Sequence, residues 1–184
     1  MAQTWRVGPE RNKKPRPPLD EGALERLALH YVGRYATTRA RLKTYLSRKL
    51  KERGWEGGAR PDVDALAEKL SGLGYIDDGA FAAARASSLQ RRGYGERRVA
   101  QSLRAAGIEE EDSAAVREQV EEGAFDAAIR FARRKRIGPF AAGELDREAR
   151  QKAFAAMMRA GHSMDIVREV LNAPPGDIPD SDNN

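Results

Sequence analysis

An all-α fold of three tandem three-helix repeats, stacked into a short elongated superhelix, is what this sequence predicts. Three observations carry that expectation. Alanine and leucine supply most of the apolar content, and both favour helix because alanine loses no side-chain entropy on folding and leucine loses little. No stretch alternates apolar and polar residues in the manner of a half-buried strand. Gly54, Gly107 and Gly161 each end a helical stretch, and they stand 53 and 54 residues apart. Apolar residues sit four and eight positions before each of them: Leu50 and Leu46, Leu103 and Val99, Met157 and Ala153. A bulky residue follows each one: Trp55, Ile108, His162. A period of this size marks stacked helical units, each burying one face on its neighbour. The 33% share of charged residues fits the larger surface of such an array.

The elements follow in order. Residues 1–19 hold four prolines and five basic residues without a hydrophobic period, and read as a disordered basic arm. The first repeat covers 20–74. Its first helix runs from about Asp20 to Tyr35, with Leu24, Leu27, Ala28 and Tyr31 on one face. The second starts near Thr37 or Thr38 and buries Leu42, Tyr45, Leu46 and Leu50. The third begins around Pro61 or Asp62, buries Val63, Leu66, Ala67 and Leu70, and stops at Gly72 and Gly74.

The second repeat covers 75–121. Asp77 is its N-cap, because a carboxylate there accepts from the first free amides. Ile76 and Phe81 then stand at the two positions of a hydrophobic staple. After the turn Gly93-Tyr94-Gly95 comes a helix with Val99, Leu103 and Ala106. Asp112 or Ser113 caps the next, which carries Val116 and Val120. The third repeat covers 122–172: a helix with Phe125, Ala128, Ile129 and Ala132, a longer connection around Pro139, and a helix with Ala149, Ala153, Met157 and Ala160. A last helix is capped by Ser163. Residues 173–184 read as a disordered, mildly acidic tail.

Composition also excludes function classes. With no cysteine, a disulfide framework and cysteine-ligated zinc are ruled out. Met1 to Pro18 contain no apolar run of about seven residues or more, and no stretch approaches ~18, so neither a signal peptide nor a membrane span is expected. A cytoplasmic protein follows as the expectation. His30 and His162 lie far apart, and His162 falls where Trp55 and Ile108 fall, which argues for packing. No Ser-His-Asp set, His-Glu-x-x-His or phosphate-cradling glycine loop is present. The expectation is therefore a non-enzymatic binding protein without metal or cofactor.

Net charge is +5, distributed in stripes. Arg34 to Arg53 holds eight basic residues against Glu52, Arg85 to Arg104 six arginines against Glu96, and Arg130 to Arg136 five basic residues. Glu109 to Glu122 instead holds seven acids and one arginine. A partner that is only phosphate has little use for that acidic stripe, whereas a protein partner meets both signs.

One segment is distinctive. Gly74-Tyr75-Ile76-Asp77-Asp78-Gly79-Ala80-Phe81-Ala82 is followed by Arg91-Arg92-Gly93-Tyr94-Gly95-Glu96-Arg97-Arg98-Val99, then Leu103 and Gly107-Ile108. It resembles the bacterial regulatory RecX family, densely in the second repeat, moderately in the first and loosely in the third, over roughly residues 22–171. The resemblance implies a protein that binds the RecA recombinase, occupies the groove of the RecA–single-stranded DNA filament, and restrains strand exchange, ATPase and co-protease activity. A monomer is expected, with weak intrinsic binding to single- or double-stranded DNA. The alternative is an independent DNA-binding helical-repeat protein, resting on the sequence pI of about 9.6.

The partner-binding candidates are Arg85, Arg91, Arg92, Tyr94, Arg97, Arg98, Arg133, Arg134 and Arg136. Arg91, Arg92, Arg97 and Arg98 flank a glycine turn that brings two helices close, and a guanidinium pairs in bidentate fashion with carboxylate or phosphate. The competing reading is a solvated helix face, where an exposed pair contributes about 0–1 kcal/mol. Tyr94 either packs across the turn, which is favoured, or stacks on a partner. Arg133, Arg134 and Arg136 either touch phosphate or form a last turn favoured by the helix dipole. Asp77 and Asp78 read as a helix cap rather than a metal site. Arg39, Arg41, Arg48 and Lys51 lie opposite Leu42, Leu46 and Leu50, as in any amphipathic surface helix.

Overall fold

Nine α-helices and a 3-10 turn follow one another along the described residues, 16–179, of the computed structural model. The first unit holds α1 (Glu21–Arg34), α2 (Arg39–Arg53) and α3 (Val63–Gly72). The second holds α4 (Asp78–Arg91), α5 (Glu96–Ala105) and α6 (Glu110–Glu122). The third holds α7 (Ala124–Lys135), the 3-10 turn Gly138–Phe140, α8 (Arg147–Ala160) and α9 (Met164–Asn172). Local chemistry starts most of them. Asp20, Thr38, Asp62, Asp77, Asp146 and Ser163 each accept a hydrogen bond from a first-turn amide, which satisfies a donor the helix cannot.

Each unit has its own core. Leu24, Ala28, Leu42, Leu46, Ala67 and Leu70 close the first. Ala82, Ala86, Leu89, Val99, Leu103 and Val116 form the second, and Ala128, Phe131, Ala132, Met157, Val167 and Val170 the third. Three separate cores in series are the mark of an array rather than a globule.

The middle helices of the units join end to end. The Ala160 carbonyl at the end of α8 accepts from the Gly95 amide at 3.0 Å, and the Gly161 carbonyl accepts from the Arg97 amide at 3.1 Å, at the start of α5. The end of α5 meets the start of α2 likewise: the buried Thr38 hydroxyl donates to the Ala106 carbonyl at 2.7 Å. Carbonyls unsatisfied at one helix end thus meet donors at the next, and the helix dipoles run head to tail. Glycine is needed here. Gly161 has φ 94°, and a Cβ on it would lie 2.5 Å from the Arg98 nitrogen. A Cβ on the facing Gly95 would lie 2.4 Å from the Gly161 oxygen. Helices of 14, 10 and 15 residues joined this way give a contour of about 60 Å at ~1.5 Å per residue.

A charged clamp fixes the first junction. Asp78 is buried, and Arg39 donates to it twice, from its amide at 3.1 Å and from Nε at 3.0 Å. The same guanidinium reaches Asp112 at 2.7 Å and Glu68 at 3.3 Å, so one side chain ties α2 to α3, α4 and α6. Its hydrogen bond to Asp78 holds it more firmly protonated than an ordinary arginine.

Several local expectations are corrected. Leu19, placed with the N-terminal arm, is fully buried in the first core and bridges to Trp55. Its amide donates to the Gly54 carbonyl at 3.0 Å, so it covers the helix end that the neighbouring unit would cover elsewhere in the array. Residues 1–15 of the arm lie outside the described residues, as do 180–184 of the tail. The first tail residues are docked, since the Gly176 amide donates to the Pro139 carbonyl at 2.9 Å. Neither Asp112 nor Ser113 caps α6, which starts earlier with Glu109 at its N-cap. The acids of its first turn favour that start by facing the positive helix end. Ile76 and Phe81 pack into different cores, the first and the second, and so anchor the connection at both ends. Asp78 is no part of a cap but the buried half of the clamp.

Arg39→Ala leaves Asp78 buried without its guanidinium. A loss of about 2–3 kcal/mol in urea unfolding is expected; an unchanged midpoint would show that the clamp contributes nothing.

Candidate binding surface at the second junction

The turn Gly93-Tyr94-Gly95 lies between α4 and α5 and packs into the third unit. A Cβ on Gly93 would come within 2.8 Å of the Phe131 nitrogen. This close seating puts Tyr94 at the seam, where its half-buried ring packs against both the second and third cores. The favoured packing reading of Tyr94 therefore describes one face of the ring.

Three guanidiniums surround that ring: Arg92 at 5.3 Å from its centroid, Arg98 at 5.9 Å and Arg134 at 6.0 Å. They come from three helix ends, near the end of α4, the start of α5 and the end of α7. Arg134 also lies 5.3 Å from the Phe131 ring and donates to the Arg92 carbonyl. Each exposed cation–ring contact contributes roughly 0.5–1 kcal/mol, enough to order a side chain and too little to neutralise it. Arg97 stands beside them, exposed, with its amide held by Gly161.

The other candidates are placed differently. Arg133 leaves the ring of Tyr94 for Phe140, at 5.0 Å. Arg136 closes α7 in a left-handed conformation and is exposed. Arg91 is exposed at the end of α4. Arg85 lies further back on α4 and donates to the Ser102 hydroxyl at 2.9 Å. Among the described residues, none of these eight arginines forms an ion pair with a carboxylate. The first unit differs in part: Arg39, Lys43, Arg48 and Lys49 have acidic partners. An unpaired cluster keeps its full field for an incoming anion and needs no internal pair broken on binding. Spacing along the chain brought Arg91, Arg92, Arg97 and Arg98 to notice, but it did not show that Arg134 joins Arg92 and Arg98, 42 and 36 positions earlier.

His162 underlies this surface. It is buried and meets Phe131 edge-on, with ring centroids 5.5 Å apart. Neither ring nitrogen has a hydrogen-bond partner. Burial pushes its pKa down to about 4, opposed in part by the nearby Gly93 backbone. The residue is thus a packing element, as its repeat position implies. Among the described residues, no group of three or more His, Asp or Glu is arranged to hold a metal ion, and no helix is long and apolar enough to cross a membrane.

Residues 77–116 match the family model for the second three-helix domain of RecX. The chain is 38% identical to a regulatory protein RecX of Myxococcus xanthus over 91% of its own length and 92% of that relative's. It is 30% identical to the regulatory protein RecX of Agrobacterium fabrum, over 78% of this chain and 79% of the other. The crystal structure of RecX from Lactobacillus salivarius superposes with a TM-score of 0.65 at 17% identity, covering 82% of this chain and 94% of that one. A second RecX crystal structure superposes with a TM-score of 0.58 at 23% identity, covering 82% and 73%. These structures bear on the fold alone.

The His162 environment carries a pH signature. Below pH ~6.5 the unfolded chain takes up a proton that the folded chain refuses until about pH 4. Its contribution is therefore complete above ~6.5 and falls with pH. Acidification from pH 7 to 4.5 should cost about 2–3 kcal/mol more in the native protein than in His162→Ile, which carries the residue found at Ile108. Equal losses in urea titrations of the two proteins would refute this.

Proposed function

This chain belongs to the RecX family of regulatory proteins, and on that footing we propose that it binds the RecA–single-stranded DNA filament and restrains recombinase, ATPase and co-protease activity. The observation that carries the proposal is the unpaired arginine cluster around Tyr94, held at the seam of the second and third units. RecA protomers and the phosphates between them offer carboxylates and anions to such a surface, and guanidiniums donate to either in bidentate geometry. The array suits a helical polymer, because units in series can touch successive subunits and so gain avidity without one dominant site. We place the unit boundaries at 20–74, 75–121 and 122–172, with Leu19 added to the first unit whose core it closes and the second unit as the central contact. The protein acts as a monomer in the cytoplasm and without catalysis.

The exposed acids of α6 weigh against a protein that simply coats DNA. Glu110, Glu111, Glu118, Glu121 and Glu122 all face solvent, where they repel phosphate and suit basic patches on a protein partner.

RecA ATPase on single-stranded DNA, titrated with this protein, tests the reading. Inhibition is expected well below one molecule per RecA subunit. Reversing Arg97 and Arg98 to Glu should raise the half-inhibitory concentration roughly tenfold or more with the helical circular dichroism unchanged. Full potency in that variant would move the contact to another face, and no inhibition by the native protein would reject the function.

A further inference from the structure

The second unit carries a groove that the arginine cluster does not explain. α6 packs mainly on α4 and only lightly on α5. This leaves a groove between α5 and α6 with a volume of about 150 Å³. Its floor is apolar: Val99, Leu103, Ile108, Val116 and Val120. Glu96, Arg104, Glu110 and Arg117 form the rim, and Ala100 and Ser113 stand between the two. An apolar space of that size takes one aromatic ring. Glu110 pairs with Arg117. Glu96 is exposed and has no ion-pair partner among the described residues.

The charge beside the groove is negative. Glu109 to Glu122 holds seven acids against Arg117. Carboxylates continue from there onto the first unit. Arg39 bridges Asp112 at 2.7 Å and Glu68 at 3.3 Å, and Lys43 bridges Glu68 at 3.4 Å and Asp64 at 3.0 Å. These acids mark a line beside α2 that ends at the start of α6. The N-terminal arm enters the fold at the other end of α2, where Arg53 donates to the Pro17 carbonyl at 2.9 Å. Arg39 and Arg53 are the first and last residues of α2, about 21 Å apart at ~1.5 Å per residue. From Arg16 back to Trp5 the chain spans up to about 36 Å, enough to run the length of α2 and enter the groove.

We infer that this groove takes the chain's own N-terminal arm, with the Trp5 ring on its apolar floor and Arg6, Arg11, Lys13 and Lys14 over the neighbouring carboxylates. Residues 1–15 supply what the groove asks for: Trp5 and Val7 among four basic residues and one acid. A buried indole N–H needs an acceptor, and the Glu96 carboxylate and the Ser113 hydroxyl stand at the rim. A tether of this length gives a local concentration on the order of 1 mM, so an affinity of about 0.1 mM between separate molecules keeps the groove roughly nine-tenths filled. A second copy offers the same arm only at its far lower solution concentration. Docked there, the arm covers the α6 acids that the filament reading offers to a protein partner. The contact itself does not depend on that reading and its test contains no RecA, so failure of either leaves the other standing.

The chain has two tryptophans, so Trp55→Phe leaves Trp5 as the sole reporter. Acrylamide quenching of its fluorescence is measured on the full chain at low salt. Quenching should be severalfold weaker in Trp55→Phe than after adding Ala100→Phe, which fills the groove. Adding Glu111→Lys with Glu118→Lys, which leaves the groove open but removes the attraction, should likewise restore quenching. Ala100 is half-buried and the two glutamates are exposed, so helical circular dichroism should not change. Protection that stays constant on dilution places the contact within one molecule. Trp5 quenched as freely as N-acetyltryptophanamide, protection that survives Ala100→Phe, or protection lost on dilution would each overturn the inference.

Discussion

The contact on which the structure depends is the meeting of one middle helix's last carbonyls with the first donors of the middle helix before it. At the second junction two backbone hydrogen bonds make it, from Gly95 and Arg97 to the carbonyls of Ala160 and Gly161. At the first junction the Thr38 hydroxyl stands in for an amide, and the Arg39–Asp78 clamp reinforces it. Buried polar backbone groups must find partners, and each unit finds them in its neighbour. Leu19 follows the same rule at the open end, where it donates to Gly54.

This constraint also places charge. The start of α5 cannot back away from Gly161, so Arg97 and Arg98 are presented at the seam. Gly93 lets the turn approach α7, which brings Arg134 to the far side of Tyr94. Three positive side chains around one ring repel one another; solvent exposure, the ring, and hydrogen bonds from Arg134 to the Arg92 carbonyl and from Arg98 to the Gln101 side chain offset that. Such an arrangement contributes little to folding, which is why it reads as a surface kept for a partner. The Arg39 clamp is the contrary case: the same residue type, satisfied by acids on three helices, belongs to the fold.

Much of this was legible in the sequence. The spacing of Gly54, Gly107 and Gly161 located the ends of the middle helices, because all three take a positive φ, at 81°, 72° and 94°, that favours glycine. Caps at Thr38, Asp77 and Ser163 were readable because their chemistry is local. What escaped was non-local. Arg39 looks like any other basic residue of α2, and Asp78 stands 39 positions away beside a true cap. Leu19 sits in a proline-rich stretch whose composition hides one core residue. Tyr31 of α1 stacks on Tyr45 of α2, with ring centroids 4.2 Å apart, and no periodicity within one helix reveals that. Membership of the RecX family adds a regulatory role, which spacing and charge do not supply.

We propose that junction geometry, and not the mere presence of arginine, makes the surface around Tyr94 competent to bind. Gly161→Val tests it most directly, since it leaves every charge in place and forces α8 away from α5. Each unit keeps its own core, so the variant should retain its helical circular dichroism while its inhibition of RecA ATPase falls by about tenfold or more. A helical Gly161→Val protein that inhibits as well as the native one would contradict the account.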